Sequence, residues 1–238
     1  VIGDYNYIFD PRVSLKRMVQ EDRKETALLV DEAHNLVERS REMFSAELSG
    51  GPFYDLQELY HGGELAEAIE YVSAAFDYLL KDHRGDDSFI LEEVPGMIEE
   101  AVEHFTTKAE LELREEPERH ENDLLLETYF AAQNFLKVLQ LVDGHYVIYG
   151  MIEKNDLFLR LFCVDPSFLL REVTKNYRAS VFFSATLSPF AYYKDMLGGR
   201  KEDYILQLAS PYDYEQVDIT IQPLSTRYKD RERTSIQL

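Results

Sequence analysis

Asp31, Glu32 and His34 stand within one tetrapeptide, Asp31-Glu32-Ala33-His34, directly behind the apolar run Leu28-Leu29-Val30. Ligands of open α/β sheets sit at the carboxyl ends of the strands. At such an edge Asp31 suits a Mg²⁺ ion that bridges nucleotide phosphates, usually through water. Glu32 suits the task of orienting and deprotonating the water that attacks a γ-phosphate. Adjacent acids are common in so acidic a chain; the specific signal is the whole tetrapeptide behind a buried strand. Ser184-Ala185-Thr186 ends a second apolar run, Ser180-Val181-Phe182-Phe183. Its two hydroxyls suit a bond to His34 or to a carboxylate across the neighbouring strand end. Each group also has a plainer reading. Acids favour helix N-termini, a histidine in a first turn is often a surface residue, and Ser or Thr caps helices such as one opening at Pro189.

Positioning these groups requires two strands that meet. Thr26 to Val30 lacks alternation and fits a strand buried on both faces, as in a parallel sheet, and so does Ser180 to Phe183. Asp31 is expected to begin a helix through Met43, and Val13 to Val19 a short one behind Asp10-Pro11. Between the two strands the chain is helical. Leu65, Ile69, Val72, Phe76 and Leu79 step by four and three residues, as do Ile98, Val102, Phe105 and Ala109, and Leu125, Tyr129, Ala132, Leu136 and Leu139. Each series is one apolar helix face. A shorter helix around Phe53, Leu56 and Tyr60 completes a bundle, with Pro95 in a first turn and Pro117 as a break. Tyr146 to Tyr149 and Leu157 to Phe162 read as a hairpin turning through Glu153-Lys154-Asn155-Asp156. Helices are expected behind Asp165-Pro166 and Pro189. Ile205 to Leu208 and Val217 to Ile221 are weaker strand candidates. The order implies two flanks that rejoin in one α/β sheet around a helical insert.

Charge marks the same division. The 238 residues hold 25 Lys and Arg against 45 Asp and Glu, a net of −20. Residues 44–163 alone carry 26 acids and 8 bases, a net of −18, while the flanks are near neutral. Such a surface repels phosphate, so most of the insert should not grip nucleic acid. It reads as a solvated, Glu-rich helical face or as an acidic docking face for a protein partner. The single cysteine, Cys163, rules out a disulfide framework or a four-cysteine metal site built within these residues. No apolar run is long enough to span a membrane, the start lacks a signal-peptide pattern, and a reducing, cytoplasmic setting is expected. The absent initial Met suggests a piece of a longer protein.

An apolar strand into Asp-Glu-Ala-His, a long helical insert and then Phe182-Phe183-Ser184-Ala185-Thr186-Leu187-Ser188-Pro189 resembles superfamily 2 DNA helicases of the DinG/XPD type, in detail the bacterial DinG-like proteins. Asp4-Tyr5-Asn6-Tyr7-Ile8-Phe9-Asp10-Pro11 resembles that family's Tyr-x-Tyr-Leu-x-Asp-Pro stretch before motif II. The resemblance covers both flanks, about half of the chain.

It implies an α/β fold: part of a RecA-like P-loop motor domain with a parallel sheet, interrupted by a mainly helical Arch domain carrying a β-hairpin. Residues 1–43 would hold motif II and 44–163 the Arch. Residues 164–200 would hold motif III and 201–238 the lead-in to the second motor domain. It implies Mg²⁺ binding by Asp31 and Glu32, water activation by Glu32, and coupling of nucleotide state to DNA movement by His34, Ser184 and Thr186. ATP, Mg²⁺, single-stranded and forked DNA, and movement from 5′ to 3′ come with the family, as does a 4Fe–4S cluster upstream of Val1. The family's Gly-Lys-Ser/Thr phosphate loop does not occur in this sequence, so the chain alone is expected to be inactive. Tyr5 and Tyr7 are candidates for base stacking or for core packing. Arg227, Lys229, Arg231 and Arg233 form a basic cluster suited to phosphate contact or to plain solvation. A non-enzymatic acidic helical interaction module is the competing reading. A phosphatase or nuclease is weaker still, because two-metal sites need several convergent carboxylates or histidines.

Overall fold

The computed structural model describes residues 1–13, 23–115, 122–211 and 218–221, with 225, 227 and 229. It divides into a unit of Val1–Asp203 and a unit of Tyr204–Leu238. The expected helix from Val13 to Val19 and the break at Pro117 lie outside the described residues, Val13 excepted.

In the first unit, helix α1 (Asn6–Phe9) precedes strand β1 (Ala27–Val30) and helix α2 (Leu36–Met43). Then come β2 (Ala46–Ser49), α3 (Gly51–Leu59), α4 (Gly63–Asp82), β3 (Ser88–Leu91), α5 (Gly96–Glu115) and α6 (Asn122–Leu139). The hairpin β4 (Tyr146–Glu153) and β5 (Asp156–Cys163) leads to α7 (Ser167–Thr174), β6 (Ala179–Phe182) and α8 (Phe190–Met196). The chain is α/β, as expected.

β1 and β6 pair in parallel, Ala27 beside Ala179 and Val30 beside Phe182. Their inner face, Leu28, Val30 and Phe182, packs with Phe9, Leu36, Val37, Met43, Phe44, Cys163 and Leu170. The outer face corrects the expectation of strands buried on both sides: Leu29 is 73% and Val181 49% exposed. Residues of α1, α2 and α7 pack on the inner side of this two-stranded sheet, and the outward side chains of Leu29 and Val181 are open to solvent. A second correction concerns Asp31. Residues 31–35 form a turn, and the helix starts only at Leu36.

A second core fills residues 46–161. The series from Leu65 to Leu79 and from Ile98 to Ala109 lie buried, with Phe53, Phe76 and Phe105 fully enclosed. The third series is only partly right: Leu125 and Ala132 are buried, Tyr129, Leu136 and Leu139 are half-buried, and Phe135 and Val138 complete the buried face of that helix. Phe105 meets Phe53 edge-on at 5.0 Å between ring centres, a favoured aromatic geometry. The hairpin forms with Lys154 and Asn155 at φ of 51° and 68°, the left-handed pair that a two-residue turn requires. Two strands appear that periodicity does not reveal. β2 pairs with β5 and β3 with β4, giving an antiparallel sheet ordered β2-β5-β4-β3. Four residues each are too short to show alternation, and Gly50-Gly51 and Asp86-Asp87 obscure their ends. Asp156 joins sheet to bundle: its Oδ1 accepts the Gly51 N–H at 3.0 Å, at the start of α3.

The inbound and outbound segments of this second core run side by side. Ser45 Oγ accepts the Cys163 N–H at 2.9 Å and donates to the Arg41 carbonyl at 2.6 Å. Arg41 Nε donates to the Val164 carbonyl and Tyr146 Oη to that of Phe44. In the second unit neither Ile205–Leu208 nor Asp218–Ile221 forms a strand, and Val217 lies outside the described residues. Among the described residues neither segment has a pairing partner, and single extended segments do not make a ladder.

Candidate functional site

The site begins where the parallel ladder runs past its last paired residues. Phe183 N–H donates to the Val30 carbonyl at 3.0 Å, and Ala33 N–H donates back to the Phe183 carbonyl at 3.1 Å. This lays Ser184 against the turn that carries Asp31, Glu32 and His34. Ala33 is wholly buried and anchors that turn in the core. Its neighbours Asp31 and Glu32 are exposed.

Glu32 adopts φ of 48°, in the left-handed region. That excludes it from a helical first turn, so the plain reading of Asp31 and Glu32 as helix N-terminal acids does not describe them. Asp31 Oδ1 accepts the Glu32 N–H at 2.7 Å, and the Glu32 carbonyl accepts the Asn35 N–H at 2.9 Å.

Three side chains then converge. His34 Nδ1 lies 2.8 Å from Ser184 Oγ. Ser184 Oγ donates to Glu32 Oε2 at 3.3 Å, and that oxygen is also 3.3 Å from His34 Nδ1. With the proton on Nδ1, the bonds run in one direction, from His34 to Ser184 to Glu32. Ser184 Oγ also accepts the Thr186 N–H at 3.2 Å and sits 3.3 Å from Thr186 Oγ1. Neither hydroxyl caps the following helix: the N-cap of α8 is Pro189, with no side-chain bond. The His34 side chain is 29% and that of Glu32 59% exposed, so the cluster is open to a ligand.

Mg²⁺ demands octahedral oxygen ligands, keeps several waters, and is held by one or two carboxylates plus phosphate oxygens. Two exposed carboxylates on consecutive residues at a strand end offer donors of that kind. No group of three or more metal-ligating side chains occurs among the described residues.

Tyr5 is placed at this same turn. Its Oη lies 3.1 Å from the Asp31 carbonyl and 3.3 Å from the Glu32 carbonyl, a contact no local pattern announces. Burial, then the charges of Glu32, Asp4 and Asp31, push the Tyr5 hydroxyl above its ordinary pKa and keep it a donor. Tyr7 is 48% exposed and makes no such contact. Arg227 and Lys229 are exposed in the second unit, and Arg231 and Arg233 lie outside the described residues. No described helix is long and apolar enough to cross a membrane.

Comparison with known proteins bears on the fold. Residues 1–51 match the family model DEAD_2. The solved structure XPD_Helicase is 18% identical, covers 82% of this chain and 33% of its own, and superposes with a TM-score of 0.54. Truncated XPD is 16% identical, over 86% of this chain and 56% of its own, at 0.55. XPD_APO is 17% identical, over 82% and 37%, at 0.50. The chain thus spans from a third to just over half of their lengths. No curated protein matches it. Residues 1–51 thus resemble the DEAD_2 model, and the fold of the chain resembles that of the XPD helicase structures.

Proposed function

We propose that the chain is part of an ATP-dependent DNA helicase, the half of its first motor domain that activates water, with the Arch inserted between motif II and motif III. The reading rests on one observation: Glu32, His34 and Ser184 meet within 3.3 Å at the ends of two parallel strands. A stalk for an interaction module has no need of such a cluster. That alternative would gain if Asp31, Glu32, His34, Ser184 and Thr186 lay more than ~10 Å apart, beyond hydrogen-bond reach.

Asp31 and Glu32 would hold Mg²⁺ through water, and the ion when bound supplies charge neutralisation on the β- and γ-phosphate oxygens. Glu32 orients a water for in-line attack and accepts its proton at a carboxylate oxygen. His34 and Ser184 fix the direction of that carboxylate through their hydrogen bonds. Their bonds span both strand ends, so a change at the nucleotide alters the path leading to the Arch. The longer protein would move 5′ to 3′ on single-stranded DNA and open forked duplexes. The acidic Arch suits a basic protein partner better than a phosphate backbone. The phosphate loop, a second motor domain and any 4Fe–4S cluster would come from other parts of that protein, so this chain alone would not turn over ATP.

Glu32→Gln in the longer protein tests the reading. Hydrolysis should be abolished while nucleotide affinity changes little. Normal turnover by that variant ends the assignment.

A further inference from the structure

Glu32 holds a left-handed backbone conformation that non-glycine residues rarely adopt. Something must keep it there. Within the turn the Asp31 carboxylate and the Asn35 N–H each bond one side of Glu32. From outside comes Tyr5, 27 residues earlier. Its single hydroxyl faces two carbonyls, that of Asp31 at 3.1 Å and that of Glu32 at 3.3 Å. These two carbonyls belong to the peptide planes on either side of the Glu32 Cα. The orientation of one plane defines φ and that of the other defines ψ. A donor shared between them therefore constrains both torsions of the residue that bears the carboxylate.

We propose that Tyr5 is a positioning residue for Glu32: its hydroxyl clamps the peptide planes flanking Glu32 and so aims the carboxylate at its water. The segment of Tyr5 and α1 then acts as a buttress of the hydrolytic turn, and its tyrosine ring packs beside Ile8 and Phe9 against the core. This inference rests on the reading of Glu32 as the water-activating group.

Tyr5→Phe keeps the ring and its packing and removes only the shared donor. In the longer, ATP-hydrolysing protein it should lower kcat about tenfold while KM for ATP and affinity for a single-stranded oligonucleotide stay within about twofold. A merely structural tyrosine would leave that split unmoved, and melting of the variant near the parent temperature excludes a folding defect. Unchanged kcat overturns the proposal, and so does a loss confined to KM. Weakened oligonucleotide binding with normal kcat would assign Tyr5 to base stacking and also overturn it. Glu32→Gln is assayed beside it. Normal turnover there removes the motor reading itself, whereas an inactive Glu32→Gln with a normal Tyr5→Phe removes only the role of Tyr5.

Discussion

His34 Nδ1 and Ser184 Oγ lie 2.8 Å apart although 150 residues separate them in the chain. The parallel pairing of β1 with β6 makes that contact, and the whole second core is looped out between its two partners. If one hydrogen bond carries the coupling, the two side chains should act as a unit. His34→Ala and Ser184→Ala in the longer protein should each slow strand unwinding about tenfold, and the double variant should be no slower than either. Unwinding rates measured as a double-mutant cycle check this. Multiplied losses would mean that the two residues act separately.

Gly150 faces Phe89 across β3 and β4, and a Cβ added there would come within 2.2 Å of the Phe89 ring. That ring has little room to retreat, because His83 stacks on it at 3.5 Å between ring centres. Gly150→Ala should cost about 1–3 kcal/mol by overpacking. A denaturant titration followed by circular dichroism reads the loss. In a Phe89→Ala background the same methyl group should cost almost nothing.

Asp10 is buried, with its side chain 4% exposed, and Arg12 reaches it at 2.7 Å. Burial alone would raise the carboxyl pKa. The hydrogen bonds from the Arg12 side chain and backbone, with its charge, outweigh that and hold it below the ordinary value of 3.8. The folded-state value is depressed, so the stabilisation is present above the ordinary value and disappears as pH falls through the depressed one. Arg12→Met leaves the buried carboxylate with only the backbone N–H of residue 12 and no opposite charge, and should cost on the order of 3 kcal/mol at neutral pH. The gap from the parent protein should close as pH falls below the ordinary value of 3.8 towards the depressed one, where Asp10 of the parent takes up its proton. Urea midpoints across that range decide the point; a gap independent of pH would show that the packing of Arg12, not its charge, matters.

Cys163 sits in the junction between the two cores, wholly buried, and burial pushes its thiol up to about 11. At pH 8 almost none of it is thiolate, the reactive form. A thiol reagent should leave the folded chain unlabelled and react fully in urea. Native labelling at the rate of an unfolded peptide would show that the junction opens.

Much of this molecule is legible in its residues taken in order. The four-and-three spacing of Leu65 to Leu79 and of Ile98 to Ala109 specifies helices, because a helix brings those positions onto one face whatever lies opposite. The types Asp31, Glu32, His34, Ser184 and Thr186 name the chemistry available. Pairing is another matter. Which edge β2 and β3 join, that Leu29 faces solvent, that Glu32 turns left-handed, and that Tyr5 grips the peptide planes beside it follow from contacts between residues 26 to 152 positions apart. Local periodicity reports only that one side of an element is buried. Register and partner depend on closing long loops around shared cores, and only the folded chain holds that information.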